Sequence, residues 1–228
     1  GGGDIAFRNI DADNIFLYFD YNSTVANSVL TARDYLEIYT DSFGPTLSGS
    51  SLRIDARNAF LSAYLSYENL TVDADEAITL YLGQLEANNL ILRTGGALTL
   101  IGGDDPNPSF PAFLSALSLD VRAHAVYGDA GSQIFADGLS MVADDTILLR
   151  GGVYVGSQPS VAPGDTGLIG RLQQAAPDLV PVSATPNAYF SADTVALASI
   201  SMTGDHLQMQ SNYFFLGAAQ FEQAGTLV

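Results

Sequence analysis

The feature that most limits how this chain can fold is a short phrase that recurs along most of its length. The phrase is an apolar residue, any residue, a small residue, any residue, a polar residue or glycine, and then apolar residues in alternation. It occurs as IDADNIFL, LTARDYLEI, IDARNAFL, VDADEAITL and MVADDTILL, among other copies. The small residues Ala12, Ala32, Ala56, Ala74 and Thr94 are separated by 20, 24, 18 and 20 residues. The chain therefore repeats with a period near 20 residues.

The stretch LEANNLILRTGGALTL, residues 85–100, shows that the apolar residues follow the period of a strand. At about 100° per residue, its leucines would scatter around a helix axis instead of forming a stripe. With a period of two, they fall in pairs on successive faces, as in short strands separated by bends. Asn88-Asn89 and Gly95-Gly96 suit such bends, because both residue types tolerate positive φ.

Short strands repeated at this spacing are typical of a parallel β-solenoid, in which each coil stacks about 4.8 Å from the last. In such a fold Leu, Ile, Val and Phe point inward, and Asp, Arg, Thr and Ser point outward. The small residue of each phrase is then expected at a tight inside corner. A closed β-sandwich or barrel is the alternative architecture.

Two proline-rich stretches interrupt the period of what is predicted to be one β-solenoid domain, residues 1–228. Residues 103–116 hold three prolines and are predicted to form a loop, and residues 156–188 hold five. Within the second stretch, GLIGRLQQAA is predicted to form a short helix that ends before Pro177. Long insertions on a solenoid often carry binding functions.

Composition excludes several classes of function. Acidic residues number 25 against 8 basic ones, all of them Arg, and the net charge is -17. Nucleic acid and anionic membranes are therefore poor partners. The absence of Lys excludes Schiff-base chemistry and a P-loop lysine, and the absence of Cys excludes disulfides and thiolate metal sites. Membrane insertion is not expected, because no apolar run approaches about 18 residues.

A family resemblance is carried by LEANNLILRTGGALTLIGG and VDADEAITLYLGQLEANNLIL. These stretches resemble the repeats of filamentous-haemagglutinin-type passengers, which two-partner secretion exports to bacterial surfaces. The resemblance implies a right-handed parallel β-helix, an extracellular or cell-surface location, and a structural or adhesive role without cofactor or catalysis. The expected partners are other copies end to end or a longer passenger chain, with surface glycans as a further candidate.

The position of this chain within such a protein is a separate expectation. The family's Asn-Pro-Asn signature is approached only by Asp105-Pro106-Asn107, in the middle of the chain. The chain also opens with GGGD and not with Met. We therefore expect a processed form or a passenger segment.

Two adjacent acidic pairs are the candidates for catalysis. Glycoside hydrolysis needs two carboxylates at a set separation, and Asp104-Asp105 and Asp144-Asp145 could supply them, with His124 in support. Adjacent Asp residues also mark solvated bends, which is the simpler interpretation. We therefore predict a non-enzymatic protein, with a carbohydrate-active β-helix enzyme as the alternative.

Asp73, Asp75 and Glu76 are weak candidates for a calcium site. They fall within four residues and offer the oxygen ligands that calcium takes. However, Asp73 and Asp75 flank Ala74 at outward positions, where they would form a solvated face. The two histidines, His124 and His206, are far apart in sequence and are not predicted to form a zinc site.

Aromatic residues near both ends of the chain are the candidates for binding or assembly. In IFLYFDY, residues 15–21, and in NYFFLG, residues 212–217, both faces of the strand carry rings, so one face must lie outside the core. Exposed rings there would form a subunit contact or a sugar-stacking platform, and burial under a loop is the alternative. The predicted surface residues are Phe16, Tyr18, Tyr213 and Phe215.

The ends of a solenoid expose unpaired strand edges, which must be capped or paired. No amphipathic capping helix is evident in the sequence near either end. This pattern is expected of a self-stacking fibre subunit or of a segment from a longer rod.

Overall fold

The computed structural model describes residues 8–25, 27–40, 45–103, 111–156, 187–203, 206–222 and 226–227. Within these ranges the chain is all-β, with parallel strands stacked as a β-solenoid of about 8 turns of roughly 20 residues and no helix. This confirms the predicted fold class. The strands are β1 (Asn9–Tyr18), β2 (Ser23–Thr24), β3 (Ser28–Tyr39), β4 (Thr46–Ser62), β5 (Tyr64–Tyr81), β6 (Gln84–Thr94), β7 (Ala97–Ile101), β8 (Ala112–Gly128), β9 (Ser132–Val155), β10 (Asn187–Ser191), β11 (Thr194–Thr203), β12 (His206–Gln210), β13 (Tyr213–Glu222) and β14 (Thr226–Leu227).

Each full turn contributes three strand segments, so the stacked turns present three faces. In the turn formed by β4 and the start of β5, residues 52–56 belong to face A, 58–62 to face B and 64–67 to face C. The same order repeats along the chain, because every segment pairs in parallel with the segment one turn away. Face A carries the small residues of the repeat, and face B follows it directly.

The interior is built from rows of apolar residues that stack at the same register position in successive turns. One row on face A runs from Leu30 to Phe190, and its members pair turn by turn. Each side chain of that row is at most 1% exposed: Leu30, Ile54, Val72, Leu92, Val121, Met141 and Phe190. A slip of one residue would turn the whole row outward, so burial fixes the register.

The small residues of the repeat lie at the bend between faces A and B, as the sequence predicts. They are between 2% and 9% exposed: Ala32, Ala56, Ala74, Thr94, Ala123 and Ala143. The register shifts immediately after several of them, because the bend holds one residue in some turns and two in others. Arg57 alone forms the bend after Ala56, whereas Asp75 and Glu76 form it in the next turn. These differences account for part of the variation in repeat spacing.

The predicted interruption at residues 103–116 is wrong at its C-terminal end. Strand β8 begins at Ala112, and Leu114 and Ala116 pair with Leu85 and Ala87 of the preceding turn. The apolar alternation after Pro111 fills the core, and this outweighs the nearby prolines. The second interruption likewise ends before residue 187, where β10 begins. The predicted helix in GLIGRLQQAA lies outside the described residues.

Both interruptions adjoin face C. The first leaves the solenoid between the face B segment 97–101 and the face C segment that starts at Ala112. The second leaves after the face C segment that ends at Val155 and returns to face A at β10. Faces A and B therefore follow one another without a long insertion in any of the described turns.

Candidate functional site

A groove of about 610 Å³ follows the bend between faces A and B across six turns. The bend can be open because its floor consists of small side chains, the repeat's Ala and Thr residues. Charged side chains form the two walls: Arg33, Arg57, Arg93 and Arg122, with Asp55, Asp73, Asp75 and Asp144. Four of the eight arginines of this acidic chain thus line one groove.

In the N-terminal part of the groove the arginines are held closely by carboxylates. Arg33 reaches Asp11 at 2.7 Å and Asp13 at 2.9 Å. Arg53, beside the groove, reaches Asp55 at 2.7 Å and Asp73 at 2.8 Å. Both arginines are more than half exposed, as are Asp11 and Asp13, so each pair contributes little to stability. They do occupy the guanidinium donors, which leaves little hydrogen-bonding capacity for a ligand.

Further along the groove, Arg93 and Arg122 form a different arrangement. They are register partners on adjacent turns, and both approach Asp120, at 3.9 Å and 3.5 Å. Within the described part of the chain neither guanidinium makes a hydrogen bond. Next to Arg93 the bend consists of Gly95 and Gly96, so no side chain fills the groove there. Two neighbouring guanidiniums that are only loosely paired with one carboxylate can hold a further planar carboxylate.

The structure brings only some of the catalytic candidates together. Asp144 lines the groove, and His124 Nδ1 lies 3.7 Å from Asp144 Oδ2. Asp145 is exposed at the same bend and is not a lining residue of the described groove. Asp104 and Asp105 lie outside the described residues. Of the predicted catalytic residues, the described structure thus brings together one carboxylate and one imidazole at the groove, whereas hydrolysis by a carboxylate pair needs two converging carboxylates.

The three calcium candidates face different partners. Asp73 is paired with Arg53, and Glu76 accepts a hydrogen bond from Arg57 Nε at 2.8 Å. That bond, together with one from Asn58, lowers the pKa of Glu76. Asp75 lines the groove. Within the described ranges no group of three or more His, Cys, Asp or Glu side chains is placed to hold a metal ion.

The four aromatic candidates are all exposed and all lie on face B. Phe16 is 66% exposed and Tyr18 51% in the first turn, and Tyr213 is 66% and Phe215 65% exposed in the last described one. The alternative interpretation, burial under a loop, is therefore wrong for these residues. The structure does not gather them into one site. It places Phe16 and Phe215 at opposite ends of one outward row that continues through Phe60 and Tyr127.

Sequence reasoning missed the aromatic residues in the middle of face B. Tyr39, Tyr81 and Tyr127 are 38%, 42% and 39% exposed. Tyr39 stacks on Tyr18 with ring centroids 5.9 Å apart, and Tyr81 stacks on Phe60 at 6.0 Å. Among the residues that the structure describes, eight of the nine exposed large hydrophobic side chains belong to face B segments, and Tyr21 is the ninth. The signal was present in the sequence, since Tyr18, Tyr39 and Tyr81 each follow a repeat marker by six or seven residues.

Asp129 is a further residue whose role was not predicted from the sequence. Its carboxylate accepts hydrogen bonds from the backbone N–H of Gly102, Gly103 and Gly131 at 2.9–3.0 Å. A Cβ on Gly102 would lie only 2.0 Å from the Gly131 carbonyl oxygen, so only glycine permits this approach. Asp129 thereby fixes the point at which the first interruption leaves the solenoid.

Comparison of the chain with protein-family models, curated proteins and solved structures gives no match. Among the described residues no helix has the length and apolar character needed to cross a membrane. The class that the observations define is therefore a β-solenoid repeat protein with a charged groove and an aromatic face.

Proposed function

We propose that this protein is a structural or adhesive β-solenoid without catalytic activity, a subunit or segment of an extracellular rod. The turns of the rod continue end to end, either between copies or within a longer passenger chain. The proposal agrees with the role that the filamentous-haemagglutinin resemblance implies. The observation that carries it is an inward-facing side chain of the last described turn that remains exposed to solvent.

The uncovered position is Phe214, in the inward row of face B. Its neighbours one and two turns earlier are Val195 and Ile147, both fully buried, whereas Phe214 is 46% exposed. No described residue stacks on it from the other side. A further turn placed there would bury the ring and would satisfy the open strand edge. If that turn were the first turn of another copy, Phe215 and Phe16 would become neighbours in one continuous outward row.

Electron microscopy of the purified chain over a concentration series tests this proposal. We expect rods that lengthen as the protein concentration rises, because a head-to-tail contact leaves a free surface at each end where a further copy can bind. Phe215→Ser at the last turn should shorten them. Tyr127→Ser is the matched control, because it removes an exposed ring from the same outward row in the middle of the rod.

Short particles of constant length at every concentration would contradict assembly between copies. The same holds if Phe215→Ser and Tyr127→Ser shorten the rods equally, since the effect would then not come from the ends. In the first case the remaining form of the proposal is a segment within a longer chain. Adhesion of the short particles to glycan-coated surfaces would support that form, and failure to adhere would count against it.

A second candidate function, recognition of an acidic glycan, is favoured by the guanidiniums of Arg93 and Arg122, whose ion pairs with Asp120 are long. We expect glucuronate to shift backbone amide resonances at residues 93–96 and 122–124, and glucose not to do so. Arg122→Gln should weaken the binding about tenfold, because a charge-assisted bidentate contact is lost. Arg33→Gln, whose guanidinium is already held by two carboxylates, is the control. Equal loss in both variants would contradict a specific carboxylate site.

A further inference from the structure

The three faces of the solenoid differ in charge and in exposure. Face A and its bend hold the charged groove. On face C one outward row is covered in four successive turns, with Ser66, Glu86, Ser115 and Phe135 each only 5–6% exposed. Face B alone is both exposed and almost free of charge.

Face B carries very little charge, as does face C, where Glu86 and Glu222 are the charged residues in the paired segments that the structure describes. In the paired segments of the nine described strands of face B, from 14–18 to 213–216, Glu37 is the one charged residue. Asp129 and Arg150 lie just past the ends of their segments, at the edge towards face C. The whole chain nevertheless carries a net charge of -17. At the edge towards face A, Asp13, Asp34, Glu76, Asp145 and Asp193 directly precede face B segments, so their negative charge borders face B and does not lie on it.

This distribution restricts what can cover the face. A cationic partner would be attracted more strongly to other surfaces of the molecule, because face B itself offers almost no carboxylate. Two copies of the chain repel one another through their net charge, and they can approach closely only where charges are absent. Face B meets that condition, and its exposed rings supply the side chains that most often anchor protein interfaces.

The size of the face also suits pairing. Four or five residues per strand give a width of about 15 Å, and eight spacings between nine strands give a length of about 38 Å. Each copy would then cover about 570 Å², or about 1,100 Å² for the pair, which is just above the roughly 1,000 Å² that a specific interface needs. Since this area is only just sufficient, dimerisation should be reversible at moderate protein concentration.

We propose that face B is the lateral interface between two copies of this chain, packed face to face as the two sheets of a β-sandwich pack. Such a contact uses the same surface on both copies and closes at two. It is independent of the end-to-end contact, which joins terminal turns and produces a rod that can keep growing. Pairing would turn the charged grooves outward, where they stay accessible.

Sedimentation velocity over a concentration series, at low and at high salt, tests this interface. We expect lateral pairing, in addition to any end-to-end growth, that strengthens as salt rises, because salt screens the repulsion between two acidic chains. Thr99 lies in the middle outward row of the fifth of the nine strands, near the centre of the face. A carboxylate there meets its own copy across a two-fold interface, so Thr99→Glu should weaken dimerisation at least about tenfold.

Thr71→Glu provides the matched control. Thr71 is an outward, partly exposed threonine on face A, so this variant adds the same charge away from the interface. Folding of Thr99→Glu is supported by Glu37, which occupies the same outward row three turns away, and circular dichroism verifies it. A wild-type chain that stays monomeric at all concentrations would overturn the proposal. So would equal weakening by both variants, or species that grow beyond two and are insensitive to Thr99→Glu, which would instead indicate the end-to-end contact.

Discussion

At the scale of single residues, Tyr67 brings a hydroxyl group into the apolar core. This tyrosine points inward from face C and is fully buried, with Gly49 and Ala87 as its register partners on either side. The small neighbours make room for the ring, and a Cβ on Gly49 would lie 3.0 Å from it. Within the described structure the Tyr67 hydroxyl has no hydrogen-bond partner. A buried polar atom without a partner costs stability.

Tyr67→Phe is therefore expected to stabilise the protein at neutral pH by about 1 kcal/mol. Burial also raises the pKa of Tyr67 above its ordinary value of 10.0. The folded chain keeps this proton at a pH where the unfolded chain loses it. The ionisation of Tyr67 therefore leaves the free energy of unfolding unchanged below pH 10.0 and lowers it as the pH rises towards the folded-state pKa. Urea unfolding at neutral pH and above pH 10.0 should show a smaller alkaline loss for Tyr67→Phe than for the wild type.

Tyr127→Phe serves as the control for this pair of measurements, because that ring is exposed on face B. Its free energy of unfolding should stay within about 0.5 kcal/mol of the wild type. If Tyr67→Phe instead lowered stability, the hydroxyl would have a partner in solution, and the interpretation of an unsatisfied group would be wrong.

At the scale of strands, the alternation of inward and outward residues was predictable from sequence, and the end of the first interruption was not. The inward rows follow from period-two patterning, which any stacked strand must obey. Pro106, Pro108 and Pro111 indicated a loop, and the local pattern after them was too short to oppose that interpretation. Only the pairing of β8 with β6 shows that residues 112–116 complete a turn.

Asp129 is the residue that joins β7, β8 and β9 at this point. Asp129→Ala would leave three backbone N–H groups without their carboxylate acceptor, and we expect a loss of about 2–3 kcal/mol in the free energy of unfolding. Asp129→Asn, which keeps one acceptor oxygen, should lose less. Chemical denaturation of the three proteins measures the series.

The matched control for this series is Asp145→Ala, an exposed aspartate at a bend. Its effect should not exceed about 0.5 kcal/mol. An equally small effect of Asp129→Ala would show that the backbone groups find water as readily as the carboxylate, and that the solenoid does not depend on this contact.

At the scale of the whole molecule, the three faces divide the physical roles among them. Face A carries opposite charges in register, face C is covered along one outward row, and face B exposes aromatic rings with almost no charge. The two assembly tests belong to this scale, because each concerns a surface and not one residue. Growing rods would establish the end contact, whereas salt-strengthened pairing that Thr99→Glu weakens would establish the lateral one. Both contacts together would give a double-stranded rod with its grooves outward.

The sequence by itself determined the β-solenoid, its period, its inward rows and the small residues at the bend, because a periodic burial pattern depends only on neighbours along the chain and one turn away. It also identified four exposed aromatic residues, since both sides of their strands carry rings. The tertiary structure decided which outward residues share a face. Arg93 and Arg122 are 29 residues apart, and Phe16 and Phe215 are 199 apart, yet each pair lies in one row. Their alignment depends on the length of every bend and interruption between them, and those lengths have no local signature.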